Sequence, residues 1–362
     1  MIISKVPIIK FMTIQEIFQL AAKKNASDVH LVADAPALLR IDGALVAVEA
    51  KKILSGKEVE QMTFSLLGAE QKERFTRDKE LDFSYENKDE TRFRVNLFYE
   101  RGNVGLVARV ITGEIPTLED LSMPKVVYDL VNLQQGLILV TGPTGCGKST
   151  TLAAMINYIN HNRNCSIITL EDPVEFMFKH GKSIIVQRQL GTDIVSFGEG
   201  LKHVLRQDPN VIMVGEMRDL ETIGTTITLA ETGHLVLATL HTYSAAQTID
   251  RIIDIFPPHR QNQVRMQLSM TLAAVISQRL VTKTGGGRLA AREILTNTPA
   301  VSNLIRENKI AQIKTVIETS SKDGMVSLDH DLKALYDAKT ISKETAQAHM
   351  NNPEQLDKFR II

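Results

Sequence analysis

One eight-residue segment, from Gly142 to Ser149, limits the folds open to this chain more than any other feature. Its letters, GPTGCGKS, fit the pattern G-x-x-x-x-G-K-[ST]. The apolar run 137–140 precedes it, and the segment leads into a helical pattern over 152–159. A strand, a glycine-rich loop and a helix in this order wrap backbone N–H groups around a phosphate at a helix N-terminus. The segment therefore predicts an α/β fold that binds a nucleoside triphosphate.

The residues of this loop have separate predicted tasks. We expect Lys148 to contact the β- and γ-phosphates of ATP, and the Ser149 hydroxyl to ligate Mg²⁺. Cys146 is expected to contribute its backbone N–H rather than thiol chemistry. The complete predicted nucleotide-binding set in this segment is Gly142, Pro143, Thr144, Gly145, Cys146, Gly147, Lys148, Ser149 and Thr150.

Short apolar runs alternate with helical patterns in the middle of the chain. The runs lie at 137–140, 167–170, 211–214 and 235–240, and each is followed by a turn. Strands that are buried on both faces and separated by helices are typical of a parallel sheet with covering helices. The pattern predicts an α/β domain over residues 126–296, followed by a helical region over 297–362.

The first part of the chain has a different pattern of apolar residues. It shows helical patterns from Ile14 and over 55–77, and strand patterns at 29–32, 37–41, 81–85, 93–99 and 104–111. These patterns predict a small α+β domain over residues 1–112. Gly113, Pro116 and Pro124 then predict a linker over 113–125.

Acidic residues stand where two of the predicted parallel strands end. Glu216 follows Gly215 after the run 211–214, and we assign it the role of activating the attacking water. The common arrangement has Asp where Gly215 stands, so metal coordination is expected from Glu171 and Asp172, after the run 167–170. Glu171 is also a candidate catalytic residue. The alternative interpretation of that cluster is a solvated acidic turn.

His234 and His241 flank the run 235–240. Spacing alone favours structural roles, and a zinc pair is disfavoured because no Cys or carboxylate completes it. His241, however, lies at the edge of the sheet where the nucleotide is expected. We therefore predict that His241 donates a hydrogen bond to the γ-phosphate and takes part in catalysis.

Arginines recur on the predicted strands of the first domain. Taken alone, they favour a solvated sheet face. In an oligomeric ATPase, an arginine from a neighbouring subunit often completes the site by neutralising charge on the γ-phosphate. Arg94 and Arg109 are the candidates for that role.

Charge and composition exclude some classes of function. The chain carries 42 Lys and Arg against 42 Asp and Glu. A net charge of zero disfavours a motor that tracks nucleic acid, so no nucleic-acid partner is expected. Two cysteines, Cys146 and Cys165, cannot form a four-thiolate zinc site and fit a reducing cytosol. The apolar runs are far shorter than the roughly 18 residues of a membrane span, so no transmembrane segment is expected.

Several further motifs resemble those of one family, the secretion ATPases of type II secretion and type IV pili. Its signature L-R-x-x-P-D-x₄-G-E-x-R-D is matched over 205–219, with Asn210 in place of the usual Asp. The segments 171–175 and 233–245 resemble its aspartate and histidine boxes, and 27–31 resembles the opening of its N-terminal domain. The segment 299–307 resembles an element associated with pilus retraction, from which Val301 and Ser302 depart.

This resemblance is strongest to the pilus retraction ATPases of the PilT and PilU type. It implies a RecA-like P-loop ATPase core, an N-terminal PAS-like α+β domain and a helical C-terminal region. It also implies a homo-hexamer that uses ATP and Mg²⁺, works in the cytoplasm at the inner face of the cell membrane, and acts on an inner-membrane platform protein to retract pili and drive twitching motility. The alternatives are an accessory or regulatory paralogue that binds nucleotide, and a related secretion or DNA-transport ATPase.

Overall fold

The computed structural model describes residues 12–41, 43–49, 52–87, 91–111 and 115–356. The chain divides into two compact units, residues 1–114 and 115–362. Among the described residues, no helix combines the length and the apolar character that crossing a membrane requires. Each unit has its own sheet and its own hydrophobic core.

The described residues of the first unit form an antiparallel sheet and three helices. Its elements are α1 (Ile14–Lys23), β1 (Asp28–Leu31), β2 (Leu38–Ile41), β3 (Ala44–Ala47), α2 (Gly56–Phe64), α3 (Ala69–Asp78), β4 (Glu80–Glu86), β5 (Arg92–Glu100) and β6 (Asn103–Ile111). The strand order is β3-β2-β1-β6-β5-β4, and neighbouring strands run antiparallel. Phe18 of α1 stacks on Phe93 of β5 at 4.0 Å between ring centroids, and both are fully buried.

The prediction of one helix over 55–77 is wrong. The segment forms two helices, α2 and α3, which are separated by residues 65–68. The Ser65 hydroxyl donates to the Met62 carbonyl at the end of α2, and Gly68 is extended where α3 begins. Leu66 and Leu67, which lie in the break, are buried in the core of the unit. Burial of these two leucines gives the break an apolar contact that a continuous helix would lose.

The second unit is a mixed sheet covered by helices. Its elements are α4 (Lys125–Val131), β7 (Gly136–Thr141), α5 (Lys148–Asn162), β8 (Ser166–Glu171), β9 (Ile184–Gln189), α6 (Phe197–Val204), β10 (Val211–Val214), α7 (Leu220–Glu231), β11 (Leu235–Leu240), α8 (Ala245–Asp254), α9 (Pro258–Thr271), β12 (Leu272–Thr282), β13 (Arg288–Thr296), α10 (Pro299–Arg306), α11 (Ile313–Thr319), α12 (Leu328–Asp337) and α13 (Lys343–His349). Short 3-10 turns lie at 310–312, 321–323 and 353–355.

The order of the strands in this sheet is β13-β12-β7-β11-β10-β8-β9. All neighbours are parallel except β12 and β13. Side chains of β7 alternate between two cores: Leu137 and Leu139 pack on one face, and Ile138 and Val140 on the other. This double burial is why the run 137–140 is apolar throughout. The parallel order also brings the carboxyl ends of β7, β8, β10 and β11 to one edge of the sheet.

The α/β core, the N-terminal α+β unit and the helical C-terminal region agree with the predicted fold class. Three strands of the second unit, β9, β12 and β13, were not predicted. The predicted linker begins in residues outside the described part of the chain. From Ile115 onwards it belongs to the second unit, where Leu118 and Met123 are buried in the core.

Candidate active site

The predicted phosphate-binding loop connects β7 to α5. Gly142, Gly145 and Gly147 have φ angles of +140°, +78° and +91°, which residues with a side chain rarely adopt. A Cβ atom on Gly142 would lie 2.3 Å from the carbonyl oxygen of Gln278. Gly142 is therefore required both by its backbone angle and by the close approach of β12. Pro143 and Thr144 complete the loop, and Thr150 lies in the first turn of α5.

Lys148, the first residue of α5, folds back over this loop. Its ammonium group donates to the carbonyl oxygens of Gly142 at 2.8 Å and Pro143 at 3.1 Å. Burial lowers the pKa of Lys148, while the charges of Glu216 and Glu175 act in the opposite direction. A partly desolvated ammonium group at this position gains strongly from an anion placed beside it.

Cys146 is buried inside the loop. Burial raises the pKa of its thiol, which keeps the group protonated at neutral pH. This protonation state fits the prediction that Cys146 acts through its backbone.

Glu216 and His241 come together beside Lys148. The Nδ1 atom of His241 lies 3.4 Å from Lys148 Nζ, and its Nε2 atom lies 3.0 Å from Glu216 Oε1. Because an ammonium group can only donate, the hydrogen-bond network assigns the proton of a neutral His241 ring to Nε2, facing the carboxylate. His234, at the opposite end of β11, instead bonds the Leu229 carbonyl.

Arg218 completes this group. Its Nη2 atom donates to Glu216 Oε2 at 2.8 Å. Burial alone would raise the pKa of Glu216, but the hydrogen bond from Arg218 and the charges of His241 and Arg218 outweigh it, and the pKa is lowered. Glu216 is therefore ionised at neutral pH. We call Lys148, His241, Glu216 and Arg218 the contact chain.

Glu171, at the end of β8, is held inside the protein. Its Oε1 atom accepts from Thr169 Oγ1 at 2.6 Å and from Gln187 Nε2 at 3.0 Å, and its carboxylate also accepts from the backbone of Glu175. The residue is buried, and burial raises the pKa of its carboxyl group. These bonds fasten the segment 171–175 to β8 and β9.

The charges of two other acids in the same segment act on residues of the contact chain. The hydrogen bond to Glu216 raises the pKa of Arg218, and the charges of Glu216 and Asp172 add to this effect. The charge of Glu175 acts on Lys148. Sequence reasoning singled out the segment but missed Glu175. The cluster of five residues was the available signal, and spacing alone did not show which of its carboxylate charges acts on the lysine.

Magnesium fits the donors present here. Among the described residues, no group of three or more His, Cys, Asp and Glu side chains is placed to hold a metal ion. Mg²⁺ usually takes only one or two protein ligands and completes its shell with phosphate and water. The hydroxyl of Ser149, which follows Lys148 in the chain, is an oxygen donor of the kind that such a partial shell uses.

Gln278 is a second residue that the sequence did not reveal. It lies on β12, is 1% exposed, and bonds both the Cys146 carbonyl and the Thr151 hydroxyl. It was missed because β12 itself was not predicted.

The predicted arginines lie side by side in the first unit. Arg94 of β5 is directly opposite Arg109 of β6, which is opposite Asp28 of β1, which is opposite Arg40 of β2. Residues opposite one another in an antiparallel pair share a face. We call these four residues the arginine row. Arg109 Nε lies 3.0 Å from Asp28 Oδ1 and Arg40 Nε lies 3.8 Å from Asp28 Oδ2, so the Asp28 carboxylate pairs with two of the three guanidinium groups.

The family match and the related proteins found by comparison agree with one another. Residues 3–286 match the family described as type II/IV secretion system protein. The chain is 46% identical over 345 residues to the type IV pilus retraction ATPase PilT of Pseudomonas aeruginosa, covering 95% of this chain and 100% of that protein. It is 40% identical over 346 residues to the type IV pilus ATPase PilU of the same organism, covering 95% and 90%.

A solved structure is similar over nearly the whole chain. The crystal structure of the pilus retraction motor PilT with bound ADP superposes with a TM-score of 0.91 at 44% sequence identity. The match covers 96% of this chain and 100% of that one.

Proposed function

This chain belongs to the type II/IV secretion system protein family, and we propose that it is an ATPase that powers the retraction of type IV pili and hence twitching motility. One observation carries the proposal. The P-loop lysine, an ionised glutamate and a histidine from three different strand ends meet in one contact chain, in a fold similar to that of an ADP-bound retraction motor.

The residues divide the work of hydrolysis among them. The loop 142–149 binds the phosphates through its N–H groups, and Lys148 neutralises charge on the β- and γ-phosphates. An incoming γ-phosphate competes with the Gly142 and Pro143 carbonyls for the Lys148 ammonium group. His241, already beside that ammonium group, then lies within reach of the same phosphate. Its Nε2 contact with Glu216 couples the binding of the γ-phosphate to the position of that carboxylate.

Glu216 is suited to orient the attacking water because it is ionised at neutral pH. Glu175 is a second candidate for this role, because its charge acts on Lys148 while Glu171 is committed to Thr169 and Gln187. On this reading Glu171 supports catalysis by holding the segment. Ser149, with Asp172 or one of these glutamates, would hold Mg²⁺, which supplies charge neutralisation between the β- and γ-phosphates when bound.

The arginine row supports an oligomeric site. Arg94 is exposed and lies directly opposite the like-charged Arg109, whose Nε is already engaged by Asp28, so an anion that reached Arg94 would relieve the repulsion between the two guanidinium groups. We propose that the chain forms a hexamer in which Arg94 and Arg109 complete the nucleotide site of a neighbouring copy. Arg40 was not predicted for this role and joins it by its position in the row.

The proposed place of work is the cytoplasmic face of the inner membrane, where the motor would act on the platform protein of a pilus. A nucleotide-binding accessory of another motor is the second candidate, and the departures of Val301 and Ser302 from the retraction-associated element favour keeping it. The two differ in their need for a partner: a principal motor restores retraction by itself, whereas an accessory requires the principal ATPase.

Steady-state ATP turnover, measured together with native mass, tests the proposal. We expect turnover by the wild-type hexamer and none by the Lys148→Ala variant, because that variant loses the charge that holds the phosphates. Expression in cells that lack their own retraction ATPases should restore twitching. Wild-type protein of normal fold without turnover would refute the ATPase assignment, and salt-dependent binding to DNA would favour a DNA-transport motor.

A further inference from the structure

We propose that Gln278, a buried residue outside the phosphate-binding loop, positions the N–H of Gly147 for the β-phosphate of a bound nucleotide. The inference rests on the proposed function, since it requires that the loop binds a nucleoside di- or triphosphate. Pairing between β12 and β7 ends at Ser277 and Thr141. Gln278 is the next residue, and it therefore lies beside Gly142, where the loop begins.

The side chain of Gln278 joins the loop to the helix that follows it. Its Nε2 atom donates to the Cys146 carbonyl at 2.9 Å, and its Oε1 atom accepts from Thr151 Oγ1 at 3.0 Å. A carboxamide offers a donor and an acceptor in one plane, so both bonds form together. With Gln278 1% exposed, water cannot replace either bond.

The bond to Cys146 fixes the direction of the next peptide N–H. The Cys146 carbonyl and the Gly147 N–H belong to one planar trans peptide and therefore point in opposite directions. Holding the carbonyl towards Gln278 turns the N–H away from β12, to the side on which the loop receives phosphate. Gly147, with φ at +91°, has little steric resistance to turning this peptide over. Gln278 supplies the resistance that glycine lacks.

Packing supports the same role. The main-chain carbonyl oxygen of Gln278 lies 2.3 Å from the position of a Cβ on Gly142, and its side-chain Nε2 lies 3.4 Å from a Cβ position on Gly147. Gln278 therefore packs against the first glycine of the loop through its backbone, and against the last through the amide that bonds Cys146.

The test compares ADP with AMP on the full-length chain. AMP lacks the β-phosphate, so the ratio of its Kd to that of ADP reports what the β-phosphate contributes to binding. Gln278→Met keeps the length of the side chain and removes both hydrogen bonds. Competition against a fluorescent ADP analogue should show that this ratio falls about tenfold in the variant, the loss typical of one hydrogen bond to a charged group.

Two further variants make the result specific. Gln278→Asn retains the amide but is one methylene shorter, so it cannot span Cys146 and Thr151, and its ratio should also fall. Ser277→Ala is the matched control. It removes a buried hydrogen bond of 2.8 Å between Ser277 and Thr141 in the same strand pair, and this bond joins the two strands rather than the loop. Its ratio should equal that of the wild type.

An unchanged ratio in either folded Gln278 variant, with both nucleotides weakened alike, would overturn the inference and leave a purely structural role. The proposed function has a separate point of failure. A wild-type chain that binds no ADP would overturn the ATPase assignment, and this inference with it.

Discussion

Two glycines of the phosphate-binding loop should respond differently to the same substitution. Gly142→Ala would place a Cβ 2.3 Å from the main-chain oxygen of Gln278 and 2.6 Å from the Cys146 sulfur, at a φ of +140°. Gly145→Ala would place a Cβ at a φ of +78°, with no heavy atom within 4 Å. A backbone oxygen on a paired strand cannot rotate aside, whereas the Gly145 site is open. We therefore expect Gly142→Ala to be much the more destabilising.

The structure sets the size of this difference. An alanine held in the left-handed region costs about 1 kcal/mol, which is all that Gly145→Ala should lose. At Gly142 the backbone penalty and the overlap together cost about 3 kcal/mol or more. For a unit of this size each kcal/mol lowers Tm by about 2–4 °C.

Thermal unfolding followed by circular dichroism should thus show a decrease of about 2–4 °C for Gly145→Ala and at least about 6 °C for Gly142→Ala in the same transition. Equal decreases in the two variants would refute the account of why the loop needs glycine at its first position.

Three further predictions concern individual side chains. Glu175→Gln should lower kcat by about 100-fold with normal ADP affinity, while Glu171→Gln should lower the unfolding midpoint more than kcat; the reverse pattern would exchange their roles. If Arg94 completes the site of a neighbouring copy, as proposed, assemblies mixed from Arg94→Ala and Glu216→Gln subunits should recover turnover that neither variant has alone, and mixed assemblies of confirmed mass without recovery would place Arg94 outside the site. Burial raises the pKa of Glu293 above its ordinary 4.5. The folded state therefore binds this proton more tightly than the unfolded state, and the free energy of unfolding decreases as the pH rises above 4.5. Glu293→Gln cannot titrate, so its unfolding midpoint should rise relative to that of the wild type as the pH increases above 4.5, whereas a difference that does not change with pH would contradict a raised pKa of Glu293.

Four parallel strands of the core, β7, β8, β10 and β11, were predictable because their signal is local. The run 235–240 is β11 without a change of bounds, and β10 likewise spans 211–214. Each of these strands is buried on both faces, which makes the run continuously apolar, and a turn or a loop ends it. The phosphate-binding loop was predictable for the same reason, since its glycines are needed where they stand.

The missed elements depend on contacts that are distant in sequence. Helix α9 passes into β12 between Thr271 and Leu272 without a Gly or Pro to mark the change, so β12 and with it Gln278 remained hidden. The arginine row exists only through the register of four strands. Which acid of the segment 171–175 turns inward is decided by Thr169 and by Gln187, which lies on another strand. Local patterns carry none of this information.

Direct imaging of single pili gives the sharpest test of the proposed motor. Fluorescently labelled pili would be followed in cells that lack their own retraction ATPases and that express either the wild-type chain or Glu216→Gln. We predict that pili retract with the wild-type chain, and that with the variant they extend and stay extended although the protein is folded and binds ADP. Retraction that proceeds with Glu216→Gln, or pili that never retract with a wild-type chain that hydrolyses ATP, would contradict the account.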